Sequence, residues 1–94
     1  AFRELLGLET KGAKACYQAD VARSKRKNLR GVVSIRFVVN PAGRVVEAGP
    51  VHNTTRSRYL ADCLVRLVEK VDFTPRTSGN VIGTHLFRFP PEYP

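Results

Sequence analysis

The chain has 94 residues, enough for one domain and one core, and a chain of this size buries about 60–70% of its unfolded surface. Hydrophobic residues are 43% and charged residues 26% of the sequence, an ordinary globular balance and not that of a disordered chain. Sixteen Lys and Arg against eight Asp and Glu give a formal net charge of +8, which directs attention to anionic or acidic partners.

No apolar run approaches a membrane span, and the start lacks signal-peptide architecture. The absence of Met leads us to expect a domain of a longer or processed protein. We therefore take residues 1–94 as a single domain, with a lead-in at 1–8 and a Pro-rich tail at 90–94.

In chain order, the first element runs from about Glu9 to Lys27, where Ala13, Cys16, Tyr17, Ala19/Asp20 and Val21 recur at helical spacing. Its C-terminal end carries the basic cluster Arg23, Lys25, Arg26, Lys27 and Arg30, whose cations complement the helix dipole. Gly31 to Asn40 alternates Val33, Ile35, Phe37 and Val39 with Val32, Ser34, Arg36 and Val38, the pattern of a strand. Asn40-Pro41-Ala42-Gly43 supplies a turn, and a second strand from Arg44 to about Val51 completes a hairpin.

Asn53-Thr54-Thr55 offers N-cap side chains for a second helix, from about Arg56 to Val71. Its apolar stripe is Leu60, Cys63, Leu64, Leu67, Val68 and Val71. The Asn-x-Thr triplet also fits a glycosylation acceptor, although a helix cap accounts for it more simply. Asp72-Phe73-Thr74-Pro75 ends this helix, since Pro disfavours a helical residue before it. After a polar loop at 76–80, a last strand runs from Val81 to Phe89. The Pro-rich tail beyond it cannot pair as a central strand.

The order α-β-β-α-β predicts an α+β fold with two helices packed on one face of a three-stranded antiparallel sheet. The other face and at least one sheet edge remain open.

Cys16 and Cys63 fit neither a zinc spacing nor a redox Cys-x-x-Cys motif. Each lies on the apolar side of its helix, so a disulfide between helices is one reading and a pair of unpaired core thiols the other. With two His in the chain, no metal site and no cofactor is expected. Neither His52 nor His85 has the nucleophile and orienting acid of a catalytic set, and Val81-Ile82-Gly83-Thr84 lacks the Gly and Lys of a phosphate loop. The expectation is a binding protein and not an enzyme.

Gly31 to Val45, read as G-V-V-S-I-R-F-V-V-N-P-A-G-R-V, resembles the hairpin of TonB C-terminal domains. Phe73-Thr74-Pro75 resembles that family's helix stop, and the closing strand ends in Phe87-Arg88-Phe89. The Tyr-Pro, Ser-Ser-Gly and Leu-Asp signatures of TonB itself are absent. Ala15-Cys16-Tyr17-Gln18 and Asp62-Cys63-Leu64 stand in their place and look like the TonB-related C-terminal domains of AgmX/PglI-type proteins, linked with myxobacterial gliding motility.

The resemblance implies a periplasmic domain of an inner-membrane-anchored protein, anchored through regions outside this chain. It further implies a place in a motility or energy-transducing machinery, with an envelope or outer-membrane protein segment added as a strand beside the last strand. An exposed sheet edge supports that mode on physical grounds. The expected partner-binding residues are Val81, Ile82, Thr84, Leu86 and Arg88, and a homodimer through the same edge is a further expectation. The alternative is a nucleic-acid-binding module using Arg23 to Arg30, which is not favoured because no aromatic residue is interleaved there to stack on bases.

Overall fold

The computed structural model describes residues 11–24, 29–75 and 79–90. Lys25 to Lys27 of the basic cluster, the 1–8 lead-in, most of the 76–80 loop and residues 91–94 of the tail lie outside them. The elements are α1 (Ala13–Ser24), β1 (Gly31–Val39), β2 (Val45–Asn53), α2 (Arg58–Glu69) and β3 (Val81–Phe89), in the expected α-β-β-α-β order. They form a three-stranded antiparallel sheet ordered β2-β1-β3, so the first strand of the hairpin is the central one.

The period-two pattern of β1 fixes its faces. Val33, Ile35, Phe37 and Val39 are buried on the helix side, where they meet Leu60, Leu64, Val68, Phe73, Phe87 and Phe89. The turn after β1 closes as its composition requires. The Gly43 N–H donates to the Asn40 carbonyl at 2.9 Å, and the Arg44 N–H donates to Asn40 Oδ1 at 3.0 Å. Gly43 adopts φ +89°, and a Cβ there would collide with the Phe73 carbonyl. That close approach lets the Phe73 N–H donate to the Gly43 carbonyl at 2.8 Å, while the Phe73 ring stacks on Phe37 at 5.6 Å. The Phe-Thr-Pro segment that ends the helical pattern is thus anchored to the hairpin turn.

The N-terminal boundary of α2 differs from the sequence expectation. The cap of α2 is Ser57, whose Oγ accepts the Leu60 N–H at 3.0 Å. Asn53, Thr54 and Thr55, expected as the cap, work just upstream instead. Thr54 ties to β1 through Val32, and Asn53 Oδ1 accepts from both the N–H (3.0 Å) and the hydroxyl (2.6 Å) of Thr55. Three consecutive short polar side chains hold the chain while it turns from strand to helix, and Arg56 takes a positive φ of 62° to complete that turn.

The helices run antiparallel, joined at steps of one helical turn. Gly12 sits against Leu67, where an added Cβ would meet Leu67 Cδ1 at 2.8 Å. Cys16 and Cys63 are disulfide-bonded with their Cα atoms 5.9 Å apart. Asp20 is 1% exposed and accepts the Ser57 hydroxyl, so the residue that caps α2 also binds α1. Arg23 bonds Asp20 at 3.2 Å and lies over the Tyr59 ring at 4.4 Å. Both helices therefore pack as one unit on one face of the sheet. No helix among the described residues is long and apolar enough to cross a membrane.

Two predictions follow from these contacts. Replacing both cysteines by Ala should lower unfolding free energy by about 4 kcal/mol, the chain-entropy value for a cross-link spanning 47 residues. Denaturant titration measures this, and a loss below about 1 kcal/mol would show that the helices hold without the bond. Gly43→Ala should cost at least about 2 kcal/mol, because strain at positive φ adds to a collision with rigid backbone. The midpoint of thermal unfolding reads it directly.

Candidate protein-binding edge

With β1 in the centre, β2 and β3 are both edges, and the chain treats them differently. The β1–β2 ladder slips twice, at Ser34/Ile35 and at Val38/Val39, leaving Val51 and Val46 as the extra residues of β2. Pro50 adds a position without an N–H. Bulges and Pro are the devices by which natural sheets blunt an edge against further pairing. The β1–β3 ladder runs without a shift from Gly31↔Phe89 to Val39↔Val81. This nine-residue strand holds no Pro and no Lys.

The direction of each backbone group on β3 follows from one pair of bonds. The Val32 N–H donates to Thr54 Oγ1 at 2.8 Å, and the Val32 carbonyl accepts from the Thr54 N–H at 2.9 Å. Val32 thus turns its polar groups to the β2 side. That direction alternates along an antiparallel strand. Gly31, Val33, Ile35, Phe37 and Val39 consequently face β3, meeting Phe89, Phe87, His85, Gly83 and Val81. The other β3 residues, Ile82, Thr84, Leu86 and Arg88, direct their N–H and C=O groups away from the sheet. Among the described residues β3 pairs with β1 alone.

The same four residues carry the exposed side chains of the strand, on the face away from the helices. Ile82 is 61% exposed and Leu86 38%. Opposite them on β1 stand Val38 and Ser34, while Thr84 and Arg88 stand opposite Arg36 and Val32. Arg36 reaches Glu47 of β2 at 3.6 Å. Of the five residues expected at this edge, Val81 alone turns its backbone inward, to Val39. Its half-buried side chain lies on the helix-facing row with Gly83, His85, Phe87 and Phe89.

Of the basic cluster, Arg23 and Arg30 are among the described residues. Arg23 is engaged by Asp20 and Tyr59, Arg30 is exposed beyond the helix, and Lys25, Arg26 and Lys27 lie outside the described residues. Among the described residues, no three His, Cys, Asp or Glu side chains converge as metal ligands. Sequence reasoning missed the Asp20–Ser57 link and the blunting of β2. The two extra residues of β2 leave only a weakened alternation after Val45, and that was the available signal.

Comparison with known proteins gives no match, whether to a family model, a curated protein or a solved structure.

The alternation makes a stability prediction. Thr84→Pro removes an outward N–H and leaves the ladder intact, so it should cost under about 1 kcal/mol. His85→Pro deletes a donor to Ile35 and should cost about 1–3 kcal/mol, the penalty of a buried carbonyl left without its partner. Equal losses in paired denaturation curves would place the free edge on the wrong residues.

Proposed function

We propose that this chain is a non-enzymatic protein-interaction domain of the cell envelope that captures an extended partner segment as a fourth strand beside β3. The observation that carries the reading is the unshifted strand Val81–Phe89, with the polar backbone groups of Ile82, Thr84, Leu86 and Arg88 directed outward. Four residues of this kind offer four donors and four acceptors to an incoming strand, the mode that recognises extended peptides through main-chain bonds.

The α-β-β-α-β order with a three-stranded antiparallel sheet is consistent with the TonB-like resemblance of the hairpin, helix stop and closing strand. The Cys16–Cys63 disulfide is of the kind that oxidising compartments sustain, which favours the periplasm. On this reading the domain belongs to an inner-membrane-anchored protein of a motility or energy-transducing machinery, and its partner is an envelope or outer-membrane protein.

Thr84→Pro and Leu86→Pro variants that keep the wild-type circular dichroism should lose at least about tenfold in partner affinity, or 1.4 kcal/mol. Partner binding to the wild type should also slow amide hydrogen exchange at Ile82, Thr84, Leu86 and Arg88 and not elsewhere on β3. Capture of the same envelope partner by the folded Pro variants would overturn the reading. A concentration-dependent dimer protected at the same four amides would identify a second copy as the occupant.

A further inference from the structure

Resting on the strand-addition reading, we infer that the partner segment presents a fixed side-chain pattern at every second position: an apolar residue, a Thr or Ser, an apolar residue and an acidic residue. These would stand beside Ile82, Thr84, Leu86 and Arg88 in that order. A strand added to β3 continues the pleat, so alternate side chains fall on the open face about 4.5–5.5 Å from those four residues. The exposed large hydrophobic residues of the described chain are Val46, Val51, Ile82 and Leu86. All four lie on the sheet, and the helices contribute none. Ile82 and Leu86 are the two on the regular edge, spaced to take two apolar side chains four residues apart. Thr84 between them is matched best by a small β-branched or hydroxyl side chain across the ladder.

Charge determines the last position. Arg88 is exposed, and neither β3 nor its neighbour β1 contains a single Asp or Glu. The carboxylate of the sheet, Glu47, belongs to β2, two strands away, and is paired with Arg36. Among the described residues no carboxylate of β1 or β3 can meet Arg88, so the acid across an added strand is assigned to the partner. The same fact argues against a second copy as occupant, because β3 pairing with β3 brings no carboxylate to Arg88 in any register. The net charge of +8 acts in the same direction by attracting acidic segments to the whole domain.

Fluorescence anisotropy with two labelled nine-residue peptides tests the pattern. Both carry Val at the apolar positions and Thr elsewhere, and they differ only in Asp or Lys at the position beside Arg88. At low salt the Asp peptide should bind at least about tenfold more tightly than the Lys peptide. Arg88→Glu should reverse that order, and Thr84→Pro should abolish binding of both. Equal affinity for the two peptides, with binding still lost in Thr84→Pro, overturns the acidic assignment and leaves strand addition standing. Peptide binding indifferent to Thr84→Pro overturns strand addition itself. Binding of neither peptide, or a β3-mediated dimer that the Asp peptide does not displace, overturns the inferred pattern.

Discussion

The central position of β1 is the constraint on which the rest of the molecule depends. Gly31–Val39 pairs on both sides, so its own N–H and C=O groups are directed into the two ladders. Its alternate side chains divide the sheet into a dry face and an open one. Val33, Ile35, Phe37 and Val39 are at most 2% exposed, a row of four apolar side chains that needs a lid of matching length. Once β1 is central, β2 and β3 must be edges, and both helices must lie on the same side. A chain of 94 residues has no further element among those described to cover the second face.

That lid is built from unequal helices. α2 buries Leu60, Ala61, Leu64 and Val68, a stripe that would seat it on any apolar sheet. α1 buries only Ala13, Cys16 and Asp20, too little apolar surface to hold a helix by burial alone. Its attachment comes from specific ties to α2: the close approach at Gly12, the disulfide at Cys16 and the Ser57 hydroxyl on Asp20. A buried carboxylate is costly unless its oxygens are bonded, and here both are engaged, by Ser57 and by Arg23. No buried side-chain polar atom among the described residues lacks a partner. Small residues and one polar link, rather than a broad apolar stripe, determine how α1 lies. Tyr17 adds a stacked contact with Phe89 at 6.0 Å, which joins α1 to the end of β3.

Much of this was legible in the sequence, for identifiable reasons. The alternation of Val33 to Val39, the Asn-Pro-Ala-Gly turn and the stripe of α2 are local patterns, and the elements fall within a few residues of where those patterns put them. The boundaries of β3 were readable because polar and Pro residues flank it. The strand order was not read, although Pro50 within β2 was a local sign that β2 lies at an edge. The cap of α2 was misplaced because Asn53, Thr54, Thr55 and Ser57 are all good caps. The choice among them is made by Asp20, 37 positions upstream of Ser57, which holds the Ser57 hydroxyl. The direction of the free backbone groups on β3 likewise depends on a long-range bond, Val32 to Thr54. The residues at the candidate edge could be named from the alternation. Their division into four outward positions and the inward Val81 needed the register.

Among the described residues the sheet leaves the outer side of β3 unpaired, and the rest of the fold must sustain that edge. Among the described residues, each outward N–H and C=O on β3 forgoes a hydrogen bond within the sheet, a cost that the rest of the fold must offset. The Cys16–Cys63 cross-link supplies about 4 kcal/mol by restricting the unfolded chain, a large part of the 5–10 kcal/mol typical of small domains. That contribution requires nothing of β3, since it acts between the helices. A cross-link between the helices therefore adds stability without drawing on the backbone groups of β3. β2, which lies beneath α2, is bulged at Val46 and Val51 and carries Pro50, features that discourage further pairing at that edge. Among the described residues the two edges thus differ in kind: β2 is bulged and carries Pro50, whereas β3 runs in unbroken register with β1.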